Sequence, residues 1–244
     1  MARANGATDT VIGDRCDRPS LAAAVAGGDG VFHIGPGFAP NEAEPGVAMV
    51  DAARTAGVRK FVFSGVIHPS ISAMVNQRAK VPVEEALYTS GMDLTVLQPA
   101  AFMQNIERTW EEIVARGRLA MPYSASSKMC WMDYRDVAEV AAVAMTGAES
   151  SYGTFELCAP GLLDRSEVAA ILPDVLGRAI VAAQTPVDQF ASQLPEGPVR
   201  DGMMRMTAHY DRCGFAGGNA LVLRSILGRE PRSVANYFSA LASR

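Results

Sequence analysis

Small or polar residues end four of the predicted strands of this chain. They are Gly13-Asp14, residues 33–37, Ser64-Gly65 and Gln98-Pro99. In a parallel sheet covered by helices, ligands bind outside the carboxyl ends of the strands, where such residues leave room for a close approach. Any one of these positions is equally consistent with an ordinary strand-to-helix turn. Four in register favour a site for a flat ligand such as a cofactor.

Patterns for other kinds of catalysis are absent from the sequence. No GxSxG motif, Ser/His/Asp order or metal-ligand spacing occurs, so hydrolase and metalloenzyme functions are disfavoured and no metal site is predicted. The four cysteines are widely spaced and form no CxxC motif, which predicts reduced thiols and no disulfide framework. They are Cys16, Cys130, Cys158 and Cys213.

The composition of the 244 residues excludes several classes of protein. The net charge is -4, which disfavours a protein that neutralises nucleic-acid phosphates. Apolar runs are shorter than the roughly 18–20 residues that span a bilayer, and residues 1–6 do not resemble a secretory signal. We therefore expect a cytoplasmic protein that acts on a small molecule, without nucleic-acid or membrane partners. A homodimer or a protein partner stays open.

Short β-branched runs alternate with longer Ala-rich segments as far as about residue 180, which is typical of βαβ units. The runs are almost continuously apolar, which indicates parallel strands buried on both faces of a sheet. The sequence therefore predicts an α/β fold. The predicted strands are 9–14, 30–35, 60–66, 93–99 and 153–158.

Capping signals mark the predicted helices. Asp17 is a candidate N-cap, and Asp164 with Glu167 matches a capping box. Asp133 and Asp136 flank another helix start, where stabilisation of the helix is favoured over catalysis. Glycine, which reaches the left-handed conformation without steric cost, closes several helices. These glycines are Gly57, Gly91, Gly117, Gly147 and Gly177.

The pattern changes after about residue 180 to short helical segments with loop punctuation. We therefore predict an α/β domain over residues 1–180 and a small, mostly helical lobe over residues 181–244. A lobe that packs over the carboxyl ends of the strands is a common location for substrate contacts.

Seven sequence motifs follow one another in a specific order. They are GD (13–14), VFHIGPG (31–37), DAARTAGVRKFVFSG (51–65), AKVPVEEAL (79–87), GMDLTVLQPAAFMQN (91–105), MDYRDVAEVAAVAM (132–145) and GTFELCAP (153–160). This order resembles the NmrA-like family, an atypical branch of the short-chain dehydrogenase/reductase superfamily. The resemblance covers roughly residues 7–180. It implies a Rossmann-like, doubly wound parallel sheet that binds NADP or NAD.

The resemblance also implies which residues contact the cofactor. Asp14 would lie near the adenine, Lys80 would bind the nicotinamide ribose, and Ser64 would lie near the nicotinamide. The other positions would follow the ribose and nicotinamide or line the substrate edge. The full set is Asp14, His33, Ile34, Gly35, Ser64, Lys80, Pro99, Phe102 and Asn105.

The chain departs from the family's pattern in its phosphate-binding loop. The superfamily opens with a strand, a GxxGxxG turn and a helix that hold the pyrophosphate, and this sequence contains no such motif. We therefore expect an N-terminally truncated sheet and weak cofactor affinity. Three explanations for this departure stay open. The native protein would start earlier, strand 9–14 would pair with strand 30–35, or a neighbouring chain would complete the edge of the sheet. The first explanation is favoured for the native protein and the second for this chain.

A second departure concerns the source of a proton. Reductases of the wider superfamily use a Tyr-x-x-x-Lys pair, and Asn76 precedes Lys80 at that spacing. An amide cannot act as a general acid near neutral pH. The alternative sources are Tyr123, Tyr134, His68 and solvent, or the acceptor is one, such as a quinone, that needs no such acid. The catalytic candidates are Lys80, Ser64 and Tyr123, and for Lys80 a solvated helix lysine paired with carboxylates is the alternative.

The favoured function is that of an NAD(P)-binding oxidoreductase acting on a small organic acceptor such as a quinone or carbonyl compound. Two alternatives stay open. The chain would be a dinucleotide-sensing regulator that acts through a protein partner without turnover, or a cofactor-free enzyme that uses the vacated cleft.

Overall fold

The computed structural model describes residues 3–39 and 41–243. Among them, no helix combines the length and the apolar character needed to cross a membrane. The strands are β1 (Gly30–Ile34), β2 (Lys60–Ser64), β3 (Asp93–Pro99), β4 (Ala101–Phe102), β5 (Arg118–Met121), β6 (Trp131–Met132), β7 (Gly153–Leu157) and β8 (Val181–Gln184).

Helices connect and cover these strands, and a 3-10 turn (Arg3–Asn5) precedes the first of them. They are α1 (Arg18–Val25), α2 (Ala43–Thr55), α3 (Val75–Arg78), α4 (Val81–Tyr88), α5 (Gln104–Glu107), α6 (Trp110–Arg116), α7 (Tyr134–Thr146), α8 (Arg165–Ile171), α9 (Pro173–Leu176), α10 (Val187–Ser192), α11 (Pro198–Cys213), α12 (Leu221–Leu227) and α13 (Val234–Ala242).

Four strands form one parallel sheet in the order β1-β2-β3-β7. The register pairs Ile34 with Ser64 and Ser64 with Leu97, so the carboxyl ends of β1 to β3 lie side by side. The predicted parallel sheet is confirmed. Its strands fall within the predicted ranges 30–35, 60–66, 93–99 and 153–158.

The predicted strand 9–14 is wrong. Residues 9–14 are exposed and belong to no strand. The proposed pairing with strand 30–35 is wrong as well, because within the described residues β1 pairs only with β2. Val11 and Ile12 are 61% and 99% exposed, so β-forming residues here gain neither a hydrogen-bonded ladder nor apolar burial.

Short strands outside the main sheet are missed by sequence patterns. β5 pairs with β8, and β4 pairs with β6, both in parallel. Strands of two to four residues are too short to show an apolar periodicity. β8 lies in the region predicted to be mostly helical, 181–244, and the elements that follow it, α10 to α13, are helices.

Helices cover both faces of the main sheet. Phe61 and Phe63 pack into a cluster with residues of α2 and α4, and Val62 and Leu97 pack into a second cluster with residues of α7. Successive residues of one strand are therefore buried on opposite faces. This doubly covered arrangement explains why the inner strands β2 and β3 are largely apolar in the sequence, whereas the edge strands β1 and β7 are only partly buried.

Several predicted helix caps are present. The Asp17 carboxylate accepts from the Ser20 backbone N–H, and the Asp133 carboxylate accepts from Arg135 N–H. Both hydrogen bonds of the predicted capping box at Asp164 form. Each cap satisfies a backbone donor that the helix itself leaves unpaired.

Asp136, in the first turn of α7, attaches the carboxyl-terminal segment to the domain. Its fully buried carboxylate accepts from Arg229 at 2.7 Å, from the Arg232 backbone N–H at 2.8 Å and from the Arg232 guanidinium. Glu139 binds the same two arginines. The role of Asp136 is therefore structural, in agreement with the preference for stabilisation over catalysis.

Candidate functional site

A buried ion pair lies beyond the carboxyl end of β1. Lys80, between α3 and α4, is 7% exposed, and its ammonium binds the carboxylate of Glu42, which precedes α2. The second oxygen of Glu42 accepts from the Phe38 backbone N–H at 3.0 Å. The alternative of a solvated Lys80 is therefore wrong. The lysine is paired with a carboxylate, but with one from another helix.

Gly35 keeps the space beside the Lys80 ammonium open. A Cβ atom built on Gly35 would lie 3.5 Å from Lys80 Nζ and 3.9 Å from His33 Nε2. A side chain at this position would therefore occupy the volume over both groups. Without one, the glycine backbone, the ammonium and the imidazole together form this part of the surface.

His33 is held in a neutral form at this surface. Its ring stacks on Phe63, with a centroid distance of 5.8 Å and an interplanar angle of 18°. Burial, and then the positive charge of Lys80, lower the pKa of His33 to about 4. At neutral pH the imidazole is therefore uncharged and contributes one donor and one acceptor.

Ser64 lies between the ends of β1 and β3. It is 8% exposed and pairs in register with Ile34. Beyond it, the Glu84 carboxylate accepts from Gln98 Nε2 at 3.0 Å, and a Cβ built on Gly65 would lie 3.2 Å from Glu84 Oε1. Burial raises the pKa of Glu84, against the opposing effect of the Gln98 hydrogen bond.

The residues predicted at the substrate edge follow β3. Pro99 is buried at the end of that strand. Phe102, in β4, meets the ring of Tyr134 edge-on at a centroid distance of 5.2 Å. Asn105 is exposed on α5. These residues lie on the chain segment that leaves the carboxyl end of the sheet, and their contact with a ligand stays a prediction.

The contacts of Tyr123 are with residues other than Lys80 and Ser64. Its ring meets Tyr210 edge-on at 5.6 Å, and the Arg165 guanidinium lies 5.0 Å above it. Within residues 3–39 and 41–243, no hydrogen bond or ring contact joins Tyr123 to either site residue. Burial raises the pKa of Tyr123 to about 12, so its hydroxyl is a weak acid at neutral pH. Its catalytic role stays a prediction.

Asn76 and Asp14 differ in their surroundings. Asn76 lies on α3, one turn before Lys80, and its buried side-chain oxygen has no hydrogen-bond partner within the described part of the chain. Asp14 is exposed, and its carboxylate accepts from the backbone N–H of Cys16 at 2.8 Å. The contact of Asp14 with adenine stays a prediction.

Glu42 and Glu84 are the site residues that the sequence patterns missed. Glu42 lies far from Lys80 in the sequence, and a carboxylate shortly before a helix carries no signal for a distant lysine. Glu84 follows Lys80 by one helical turn, but this spacing is typical of solvated helix pairs. For metals, the described residues contain no group of three or more suitable ligands.

Comparisons with known proteins define the class of the fold. The chain superposes on an NADPH complex of NADPH-dependent quinone oxidoreductase from Escherichia coli with a TM-score of 0.84 and 20% identity, over 98% of this chain and 86% of that one. It also superposes on a Citrobacter triphenylmethane reductase complexed with NADP(H), with a TM-score of 0.81 and 18% identity, over 94% and 82% of the two chains. The fold is therefore Rossmann-like.

Sequence comparison identifies the family. The profile of the NmrA-like family matches residues 3–236. An NAD(P)H azoreductase from Xenophilus azovorans is 31% identical over 240 residues, which are 96% of this chain and 82% of that protein. The chain belongs to the NmrA-like family, as the order of its motifs predicts.

Proposed function

We propose that this protein is an NAD(P)H-dependent reductase that transfers a hydride to a small organic acceptor such as a quinone or an azo compound. The observation that carries the proposal is the buried Lys80 ammonium beside Gly35, at the carboxyl ends of β1 and β2. Ligands of doubly wound sheets bind at this edge. The names of the azoreductase and the two reductases above support the same chemistry.

The residues at this edge fit the ribose and nicotinamide half of the cofactor. Lys80 has hydrogen-bond donors beyond the one that Glu42 accepts, and ribose hydroxyls are suitable acceptors. Gly35 places no side chain beside the ammonium, and neutral His33 adds no second positive charge. When bound, the dinucleotide supplies the hydride. Lys80 would hold and orient the ribose, and Ser64 would border the nicotinamide.

The choice between NADP and NAD concerns the adenosine half of the cofactor. Both solved reductases carry NADPH or NADP(H) by name, so we infer that NADPH is the better donor. A GxxGxxG turn is missing from the sequence, and backbone donors at such turns hold the pyrophosphate. We therefore expect weak binding of either dinucleotide to this chain.

The acceptor is inferred from the proton donors that the site offers. Asn76 has no acidic proton, and Tyr123 has its pKa raised to about 12 by burial. Hydride transfer to a quinone gives a hydroquinone anion that water can protonate outside the rate-limiting step. A carbonyl acceptor would instead give an alkoxide, which needs a nearby acid. The lack of an acid at the tyrosine position therefore favours quinone-like acceptors over simple carbonyl compounds.

Asn76 also supports a second candidate function, that of a dinucleotide-sensing regulator. A protein without an acid at the tyrosine position can retain cofactor binding and lose turnover. In that case Lys80 and its neighbours would bind the dinucleotide, and the bound protein would act by contacting a protein partner.

The two functions are separated by steady-state assays. Purified protein is mixed with NADPH or NADH and a panel of quinones, azo dyes and aldehydes, and consumption of the reduced nicotinamide is followed by absorbance. We expect acceptor-dependent consumption that is fastest with NADPH and a quinone. Binding of NADPH without consumption across the panel would favour the regulator. If the protein neither binds NADPH or NADH nor consumes it, both functions are rejected.

A further inference from the structure

The fold brings together two cysteines that are far apart in the sequence. Cys130 and Cys158 are 0% and 2% exposed, and both are reduced. Cys130 directly precedes β6, and Cys158 directly follows β7. The backbone N–H of Ala159 donates to the Trp131 carbonyl at 2.9 Å and holds the two segments side by side. The wide spacing of the cysteines along the sequence gives no indication of this pairing.

Gly217 packs directly against both sulfur atoms. A Cβ built on Gly217 would lie 2.7 Å from Cys130 Sγ and 3.1 Å from Cys158 Sγ. The two sulfurs therefore face the same small volume, and backbone covers it. Gly217 has a φ of 146°, and Gly218 has a φ of 85°, which side-chain-bearing residues rarely adopt. The covering segment thus depends on glycine at both positions.

The two thiols differ in chemical character. The neighbouring Cys130 thiol, and then the backbone of Gly218, lower the pKa of Cys158 against the opposing effect of burial. The neighbouring Cys158 sulfur, together with burial, raises the pKa of Cys130. Because the thiolate is the nucleophilic form of cysteine, Cys158 is disposed to react first and Cys130 to react second.

We propose that Cys130 and Cys158 form a redox-active dithiol that hydrogen peroxide converts into an intramolecular disulfide. The Cys158 thiolate attacks one peroxide oxygen, the O–O bond breaks, and the products are a sulfenic acid and hydroxide, which takes up a proton. The Cys130 sulfur then displaces the sulfenic hydroxyl and forms the S–S bond. Two thiols lose two electrons and two protons, and the peroxide is reduced to two water molecules.

The Ala216 carbonyl connects this pair to the edge of the candidate site. It accepts a hydrogen bond from Cys130 Sγ at 3.1 Å, and His68 Nε2 lies 3.1 Å from the same oxygen. His68 follows β2, the strand that ends at Ser64. Disulfide formation removes the Cys130 thiol hydrogen from this arrangement. Oxidation therefore changes the hydrogen bonding of the segment that holds His68.

The test removes the two exposed cysteines, Cys16 and Cys213, in the double variant C16S/C213S of the full chain. This variant is treated with graded hydrogen peroxide, denatured, alkylated and weighed by mass spectrometry. We expect the loss of two hydrogen atoms, protection of both thiols from alkylation, reversal by dithiothreitol, and a peptide that links residues 130 and 158. Adding C158S must abolish the loss, and adding C130S must leave a sulfenic acid that dimedone captures.

Each outcome of this test decides the proposal. Two alkylatable thiols after treatment, or added oxygen without a cross-linked peptide, would overturn it. If C158S does not fold, as judged by circular dichroism, the linked peptide in C16S/C213S is sufficient by itself. Oxidation that is equally fast in folded and urea-unfolded C16S/C213S would show that the native arrangement does not promote the reaction.

Discussion

Two lysines, Lys60 partly buried and Lys80 buried, lie at opposite ends of the central sheet. The side chain of Lys60, at the amino end of β2, is 15% exposed, and that of Lys80, beyond the carboxyl ends, is 9% exposed. Each pairs with one carboxylate, Asp93 for Lys60 and Glu42 for Lys80. Burial and ion pairing therefore do not distinguish a structural lysine from a ligand-binding one in this protein.

The two ammonium groups differ in how many of their hydrogens are used. Lys60 Nζ reaches Asp93 at 3.1 Å and also donates to the carbonyls of Ala144 at 3.1 Å and Gly147 at 2.5 Å. Lys80 Nζ has Glu42 as its one partner within residues 3–39 and 41–243. An ammonium has three donors, so Lys60 is saturated and Lys80 is not. We infer that Lys60 stabilises the fold and that Lys80 binds a ligand.

The largest expected effect is on turnover when Lys80 is replaced. The double substitution K80M/E42Q removes both charges and so leaves no buried carboxylate without a partner. We expect kcat/KM with NADPH and a quinone to fall about 100-fold, or about 2.7 kcal/mol, because the ribose loses its anchor. Initial rates measure the change, and K60M is the matched control. Equal losses of kcat/KM in K60M and K80M/E42Q would contradict the inference that Lys80, and not Lys60, binds the ligand.

The next effect is on stability when Lys60 is replaced. K60M removes three hydrogen bonds and leaves the partly buried Asp93 without its cation, so we expect a loss of about 2 kcal/mol in the free energy of unfolding. Urea denaturation followed by circular dichroism measures it. K80M/E42Q is expected to lose less than K60M. The opposite order would assign the structural role to Lys80.

A smaller effect concerns the pH dependence of stability near Lys80. The folded pKa of His33 is about 4, below the ordinary value near 6.5. The unfolded chain therefore binds the proton first, and stability is lost as the pH falls from about 6.5 toward 4. Allowing for the partial exposure of His33, we expect about 1 to 2 kcal/mol less stability at pH 5 than at pH 7 from this residue.

The control for the pH effect is H33Q, which removes the titrating group. Unfolding by urea is measured for both proteins at several pH values, and the difference between them isolates His33. Glu84, whose raised pKa acts in the opposite direction, is common to both proteins and cancels. Parallel pH profiles for the wild type and H33Q would show that His33 is not buried in a neutral form.

The smallest effect is on the pKa of His33 itself. Burial is the larger cause of its lowered pKa, and the charge of Lys80 is the smaller one. In K80M/E42Q we therefore expect an NMR titration of His33 to give a higher pKa that stays below 6.5. K60M, which alters a charge at the other end of the sheet, should leave this pKa unchanged. A shift of the His33 pKa in K60M but not in K80M/E42Q would refute the predicted proximity of His33 to Lys80.

The central sheet could be predicted because its two inner strands, β2 and β3, are buried on both faces and all four strands contain β-forming apolar residues. The run at 60–66 has the apolar centre Phe61-Val62-Phe63, and the structure uses residues 60–64 as β2. The run at 9–14 has similar residue types but no partner strand within the described chain, so composition alone misled the prediction. β5 and β8 are too short for a periodic signal, and their pairing depends on tertiary contacts.

The candidate site could be predicted only in part. Glycine and serine at strand ends identify the edge of the sheet at Gly35 and Ser64, because parallel strands end together. The pairing of Lys80 with Glu42 could not be predicted, since it depends on how α2 and α4 pack on one face. The saturation of Lys60 by the carbonyls that end α7 is likewise a property of the folded backbone.

Binding of the dinucleotide by Lys80 is the central claim about this protein. Isothermal titration calorimetry of NADPH into wild type, K60M and K80M/E42Q measures this without turnover. We predict one saturable site in wild type and K60M, and affinity at least about tenfold lower in K80M/E42Q, which corresponds to about 1.4 kcal/mol. Equal affinity in all three proteins, or no binding to the wild type at millimolar NADPH, would contradict the account.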